Sequence, residues 1–431
     1  MKSLIITILH FLSRKVIKKY NPKIIGITGS VGKTSAKEAV FAVLAKKFRV
    51  RKNVSNYNTE VGLALTILGC THQPGRSPFK WISVLFGGIK LVLLKSKYPE
   101  ILVLEMGADK PGDIAQLLGV VNPMVGIITS IAPVHTEKFG SMAGIEREKG
   151  KLFRAVEKEG HIIINNDDEA VKRIASTCKA KQIKYGIKNI SNVQIQSSDI
   201  SVSRSNKVAT GIRGMSFKLI TNGTVTPVLL KGILGEHQVY PALIAASVAQ
   251  IFEVNMVDVA EALRKLDKQP ARMRIIEGIK HTTIIDDTYN ASPKPMQCAI
   301  ESVNALDVDG KKYAVLGSML ELGNITEVEH QKIGELIAKS DIDVLICVGE
   351  RARDIARGAE KHGMSSDRVF SFSETEDAGL FVQRRIEQGD LILVKGSQGV
   401  RMERVVKEVM ADPEQSKNLL ARQSEEWINK P

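Results

Sequence analysis

The run Ile24 to Thr28 passes directly into Gly29-Ser30-Val31-Gly32-Lys33-Thr34-Ser35, and a helical pattern of Ala36, Ala39, Val40 and Val43 starts at once. Strand, glycine loop and helix in that order confine the segment to a βα unit whose turn can wrap a phosphate. Glycines let backbone N–H groups turn inward, the helix N-terminus adds partial positive charge, Lys33 can reach terminal phosphates and Thr34 can ligate magnesium. The longer pattern GxxxxGK[ST] would put glycine at position 27, where Ile27 stands, so the match is to the shorter form TGxxGKT.

The rest of the chain fits that unit. Short β-branched runs recur at Ile101 to Glu105, Val125 to Thr129 and His161 to Asn165, with helical patterns between them. Such alternation predicts a mainly parallel sheet flanked by helices. From Val193 to Leu230 the texture turns to serine, threonine and glycine with alternating runs, which predicts appended β-hairpins. After Pro270 a second α/β series begins, with strands expected at Thr282 to Asp286, Tyr313 to Leu316, Val344 to Val348 and Leu391 to Val394. The expected class is α/β: a P-loop ATPase-type central domain over 23–270, a Rossmann-like C-terminal α/β domain over 271–431, and an N-terminal amphipathic extension over 1–22. A length of 431 residues suits two or three domains. The polar tail after Asp412 is expected to be a frayed helix.

Leu4 to Leu12 is apolar and is followed by Arg14, Lys15, Lys18 and Lys19. It is too short to span a bilayer, and a signal peptide would carry its basic residues first. The expectation is a short amphipathic helix, with peripheral membrane contact as the second reading. Another apolar stretch, Trp81 to Leu94, is interrupted by Gly87 and Gly88 and reads as a packed helix or hairpin. Lysine and arginine number 61 against 47 acidic residues, a net charge of +14 that favours anionic company. Nucleic acid is the weakest candidate, because aromatics are 5% of the chain and no basic stripe interleaves with them. Cys70, Cys178, Cys298 and Cys347 form no CxxC pair, which points to a reducing, cytoplasmic compartment.

Further segments resemble one family. After TGSVGKTS come Asn56-Tyr57-Asn58-Thr59-Glu60, Leu104-Glu105-Met106-Gly107, Pro133-Val134-His135-Thr136-Glu137, Glu148-Lys149-Gly150 and Asn165-Asn166-Asp167-Asp168. The second half holds Asp286-Asp287-Thr288-Tyr289-Asn290-Ala291, Leu316-Gly317-Ser318-Met319-Leu320-Glu321-Leu322-Gly323 and Val394-Lys395-Gly396-Ser397. In this order they resemble the Mur ligases, and within them the branch that adds D-alanyl-D-alanine to a UDP-N-acetylmuramoyl-tripeptide in peptidoglycan precursor synthesis. The resemblance implies an ATP-dependent amide ligase in which a substrate carboxylate becomes an acyl phosphate that an incoming amine then attacks. It implies Thr34, Glu105 and His135 as magnesium ligands, and Lys33, Lys149 and His135 in catalysis, with Lys149 carbamylated. Gly29, Ser30, Val31, Gly32, Lys33, Thr34 and Ser35 would contact ATP together with Arg272 and Asp287. Asn58, Asn290, Glu321, Lys395 and Ser397 would bind the nucleotide-linked muramoyl peptide and D-alanyl-D-alanine, Lys395 offering a cation to the dipeptide carboxylate. A cytoplasmic monomer is expected.

The pattern also departs from that branch. Its members carry an N-terminal domain for the uridine nucleotide, whereas twenty-two residues precede Lys23 here, so the substrate must be held differently. Pro241 replaces an asparagine in Gly235-Glu236-His237-Gln238-Val239-Tyr240-Pro241, Ser318 stands for an aspartate and Ser292 for an asparagine. The alternatives are a Mur-like ligase with another acceptor, folylpolyglutamate-like or pseudomurein-type, and a nucleotide-binding, membrane-associated module that does not ligate.

Overall fold

The computed structural model describes residues 2–54, 57–71, 74–75, 77–133, 136–195, 201–204, 211–266 and 269–428. Ten strands make the first sheet: β1 (Lys23–Thr28), β2 (Val50–Lys52), β3 (Ile101–Glu105), β4 (Val125–Ile128), β5 (His161–Asn165), β6 (Lys181–Gly186), β7 (Val193–Gln194), β8 (Ser201–Arg204), β9 (Ile212–Thr221) and β10 (Thr224–Lys231). Their order is β10-β9-β7-β6-β5-β4-β1-β3-β2, with β8 beside β9. Strands β2 to β7 and β1 pair in parallel, and β9 is antiparallel to β7 and β8. The β-branched runs of the sequence are these buried parallel strands, and the serine-rich segment supplies the antiparallel edge.

Six strands make the second sheet: β11 (Arg274–Glu277), β12 (Thr283–Asp287), β13 (Lys312–Gly317), β14 (Val344–Val348), β15 (Val369–Phe372) and β16 (Leu391–Lys395). The order is β11-β12-β16-β13-β14-β15, all parallel except β11 against β12. The chain divides into two compact units. One comprises Met1–Asp199, Lys218–Val228 and Tyr240–Leu266, and the other Ile200–Phe217, Leu229–Val239 and Asp267–Pro431.

In the first unit, β1 lies between β3 and β4, and the connection after β1 runs toward β2 while that after β4 runs the other way to β5, so the winding reverses between β1 and β4. Open α/β sheets bind ligands at such a switch point. The N-terminal helix α1 (Lys2–Tyr20) buries Leu9, Leu12 and Val16 in the same core as Leu63, Ala64 and Ile67 of α3 (Glu60–Ile67). At about 1.5–3 kcal/mol for each fully buried aliphatic side chain, those three contacts hold α1 to the unit. Between α1 and α3 in sequence, α2 (Lys33–Leu44) follows the glycine loop.

Two expectations need correction. Trp81 to Leu94 does form a helix, α4 (Pro78–Leu93), but it is packed on one face only: Trp81, Val84, Leu85, Leu91 and Val92 meet the core while Phe79, Ile82 and Phe86 are exposed. The tail is packed, not frayed. Leu420 is buried, and Arg422 donates to Glu403 and to the carbonyls of Thr288 and Tyr289. Among the described residues no helix is long and apolar enough to cross a membrane.

Candidate active site

Gly29 and Gly32 take φ of 145° and 83°, and a Cβ on Gly29 would stand 2.0 Å from the Thr129 hydroxyl oxygen, so glycine is the residue that fits there. The loop is braced by the segment after β4. Ser30 N–H donates to the Ser130 carbonyl (2.8 Å), Ala132 N–H to Ser30 Oγ (2.9 Å) and Thr129 Oγ1 to the Val31 carbonyl (2.6 Å). That brace is itself held from β5: Asn165 donates to the Thr129 carbonyl, while Asp168 accepts from Ile131 N–H and caps the next helix at Ala170 and Val171. The Asn165 to Asp168 motif is thus a scaffold beneath the loop. Lys33 Nζ folds back onto the carbonyls of Gly29 (2.9 Å) and Ser30 (3.3 Å), bonds it can exchange for charge-assisted ones to phosphate oxygens.

At the end of β3, Glu105 is 3% exposed and collects several of the expected residues. Thr34 Oγ1 donates to Glu105 Oε2 (3.0 Å) and Asn58 Nδ2 to Oε1 (3.3 Å). Two residues not anticipated from the sequence complete the group. Lys37, wholly buried, places Nζ 3.5 Å from Glu105 Oε2, and Asn53 clamps the Glu105 backbone through its N–H (2.8 Å) and carbonyl (2.9 Å). Lys37 could have been found as the residue one turn after Lys33; Asn53 carries no such signal. A hydroxyl and a carboxylate oxygen side by side at the mouth of a phosphate loop suit a hard, oxygen-seeking cation such as magnesium. His135 lies outside the described residues.

Lys149 and Lys151, neighbours in one charged run, separate in space. The helix Met142–Arg154 turns Lys149 inward, 2% exposed, while Lys151 is part-exposed and pairs with Glu148 at 2.5 Å. Burial, reinforced by the positive charge of Lys33 and opposed by Asp109 and Glu148, lowers the Lys149 pKa from 10.5 to about 7. Burial also pushes Glu148 upward, but hydrogen bonds from Lys151, Gly112 N–H and Ile114 N–H outweigh it and keep the carboxylate ionised.

The second unit has its own cluster at the C-terminal ends of β12, β16 and β13. Asp287 Oδ2 and Lys395 Nζ are 2.6 Å apart, Lys395 also donates to the Asn290 carbonyl (2.9 Å), and Met273 N–H donates to Asp287 Oδ1 (3.1 Å). Lys395 is thus a buried ion pair in this conformation. Ser397 Oγ donates to the Ala291 carbonyl (3.2 Å) and accepts from Leu320 N–H (2.8 Å). His330, which was not anticipated, accepts from Met319 N–H at Nε2 (2.9 Å) and faces the Thr326 carbonyl through Nδ1 (2.7 Å), which fixes the tautomer and the loop. Glu321 stands on that loop, exposed and at φ 64°. Arg272 stacks over Tyr289 at 4.1 Å. Ser318 accepts from Ala352 N–H (3.1 Å), and Pro241 falls in the first turn of the helix Tyr240–Ile251, where a missing N–H costs little.

Two family models match the chain, the Mur ligase middle domain over residues 87–249 and the Mur ligase, glutamate ligase domain over 271–398. A UDP-N-acetylmuramoyl-tripeptide–D-alanyl-D-alanine ligase of Bacillus subtilis is 33% identical over 408 residues, covering 95% of this chain and 80% of that protein. The crystal structure of MurF ligase from Thermotoga maritima in complex with ADP superposes with a TM-score of 0.74 at 26% identity, covering 94% of this chain and 83% of that one. A crystal structure of MurF from Acinetobacter baumannii gives 0.75 at 24%, with 94% and 80% covered, and bears on the fold.

Proposed function

The chain belongs to the Mur ligase family, and from that premise we propose that it is an ATP-dependent amide ligase that joins D-alanyl-D-alanine to a UDP-N-acetylmuramoyl-tripeptide. The observation that carries this reading is the identity to the Bacillus subtilis ligase, 33% and sustained over 95% of the chain. The relative bound to ADP supports ATP as the co-substrate.

The chemistry proceeds in two balanced steps. A carboxylate oxygen of the peptide attacks the γ-phosphorus of ATP and ADP leaves. The dipeptide amine then attacks the acyl carbon, phosphate departs with the bonding pair, and the nitrogen sheds a proton. Phosphoryl transfer needs alignment and charge neutralisation above all. The loop N–H groups from Gly29 to Ser35 and the Lys33 ammonium supply both, and Lys37 sets a further positive charge beside Glu105. Thr34 and Glu105, with His135 as the third ligand, would hold magnesium, which supplies further neutralisation of phosphate charge. At a pKa of about 7 the Lys149 amine is largely neutral in mildly alkaline solution. A neutral amine takes up carbon dioxide to give a carbamate and a proton, and the anion would offset Lys33. Asp287 and Arg272 belong to the nucleotide, while Asn58, Asn290, Glu321, Lys395 and Ser397 belong to the peptide substrates. Cys70, Cys178, Cys298 and Cys347 are thiols and not disulfides, which suits a reducing cytoplasmic compartment, and a monomer there is part of this reading. The basic exposed side of α1 supports peripheral contact with an acidic membrane surface.

The test is phosphate release with ATP, magnesium and UDP-N-acetylmuramoyl-tripeptide, with D-alanyl-D-alanine added or omitted. The expected result is dipeptide-dependent release and a product heavier by one dipeptide less water. Silence in the presence of intact ATP binding would move the assignment to a Mur-type ligase with another acceptor, the reading that Pro241, in the substituted nucleotide segment, favours.

A further inference from the structure

Apart from a narrow strip of Lys80, Ser83 and Lys90, helix α4 is apolar on its outward side as well as on its core-facing side, and apolar helix faces are ordinarily buried. Here the outward positions, spaced three and four apart, are Phe79 (81% exposed), Ile82 (62%), Phe86 (69%), Ile89 and Leu93 (73%). They form one unbroken stripe along sixteen residues, too short to span a bilayer. Alongside lies α1, whose Leu12 comes within 3.0 Å of where a Cβ on Gly88 would stand, and whose Lys19 donates to the Leu91, Val92 and Leu94 carbonyls at the end of α4.

Charge tells what such a stripe would meet. Residues 1–37 contain eight lysines and arginines, residues 61–99 contain five, and neither stretch contains an aspartate or glutamate. These two stretches therefore carry thirteen of the fourteen net positive charges, and the remaining chain is close to neutral. On α1 and α4 and just beyond, Arg14, Lys15, Lys18, Lys80, Lys90 and Lys95 are exposed. A cleft of about 340 Å³ at the end of α4 joins Arg51, Lys90 and Lys95 to Leu68, Leu91 and Leu94, a cationic rim over an apolar floor. An apolar stripe flanked by lysines without a compensating acid is complementary to an anionic phospholipid surface, whose headgroups take the lysines while its acyl boundary takes the phenylalanines. A second copy of this chain would instead bring thirteen like charges against thirteen.

We propose that α4, flanked by the basic face of α1, docks the protein peripherally on an anionic phospholipid membrane, lying in the plane of the interface. The proposal is independent of the ligase reading. The experiment is flotation of the full-length protein with vesicles of phosphatidylcholine and phosphatidylglycerol, and with phosphatidylcholine alone, at low and at high salt. Binding is expected on the anionic vesicles, with weakening in salt. Lys15→Gln, Lys18→Gln and Lys90→Gln combined should lower the partition coefficient about a hundredfold, given about a fivefold contribution from each lysine near the surface. Ile82→Ser with Phe86→Ser should lower it at least about tenfold. Both variants alter exposed side chains, so melting temperature and vesicle-free ATP turnover should match the unmodified protein. The proposal fails if anionic vesicles do not float the protein at low salt, or if the double serine variant floats as well as the original. It also fails if that variant instead converts a dimer to a monomer in light scattering.

Discussion

Lys149 is a buried amine whose conjugate acid is disfavoured, and the sign of its contribution to stability follows. In the unfolded chain it holds its proton up to about 10.5, in the folded protein only up to about 7. Between those values the unfolded state binds more protons, so stability rises with pH across that window, and below about 7 the cost of burying the ammonium is present in full. Lys149→Met should therefore raise the melting temperature most at pH 6, with the gain shrinking steadily toward pH 10. Melts in bicarbonate-free buffer check this, and a gain independent of pH would remove the buried-ammonium account. Lys33 has a different role, because it is part-buried and its ties to the Gly29 and Ser30 carbonyls are local. Lys33→Ala should abolish ATP turnover, a loss of at least about a thousandfold, while far-ultraviolet dichroism and the melting temperature stay within error. Undiminished turnover in that folded variant would overturn the phosphate-loop assignment.

Among elements, the helices Thr326–Ala338 and Arg353–Lys361 cross closely because each offers a glycine to the other. A Cβ on Gly334 would stand 2.1 Å from the Ile355 carbonyl oxygen, and one on Gly358 would stand 2.3 Å from that of Gln331. Backbone oxygens cannot swing aside as side-chain tips do, so Gly334→Ala should cost about 2–3 kcal/mol by forcing the helices apart. Equilibrium urea unfolding measures it, and a loss under about 0.5 kcal/mol would mean the helices slide freely. Elements of this kind divide into legible and illegible ones for a physical reason. A parallel strand such as β14 was readable because both faces are buried and every position is apolar, and the glycine loop because its spacing is set by phosphate geometry. The outward face of α4 was not, since apolarity states that a side chain prefers to leave water and not that anything covers it. Nor was the tail, because Arg422 reaches Glu403 and the backbone of Thr288 and Tyr289 across contacts that no local periodicity encodes. Asn53 was missed at the site for the same reason: it acts on Glu105, more than fifty positions away.

At the scale of the molecule, a boundary near Pro270 was the natural reading, because a new strand-helix series starts there, but three-dimensional contacts draw Leu229–Val239 into the same unit as the chain beyond Asp267. Ile275 N–H donates to the Gly232 carbonyl (3.1 Å), Leu234 N–H donates to the Met273 carbonyl (3.1 Å), and Ile233 bridges antiparallel to Arg274. Residues 232–234 thus cover the outer edge of β11, which is the terminal strand of its sheet. A fragment cut at 270/271 would lose that cover and present an unpaired edge, a template for aggregation. A fragment of residues 229–431 keeps the cover and should unfold cooperatively in urea, whereas 271–431 should be less stable by about 2–4 kcal/mol or come out of solution. Two hydrogen bonds and the burial of Ile233, Leu234 and Val239 account for a difference of that size. Equal midpoints and equal slopes for the two fragments would mean that 229–239 merely rests on the unit, and the boundary would then return to Pro270.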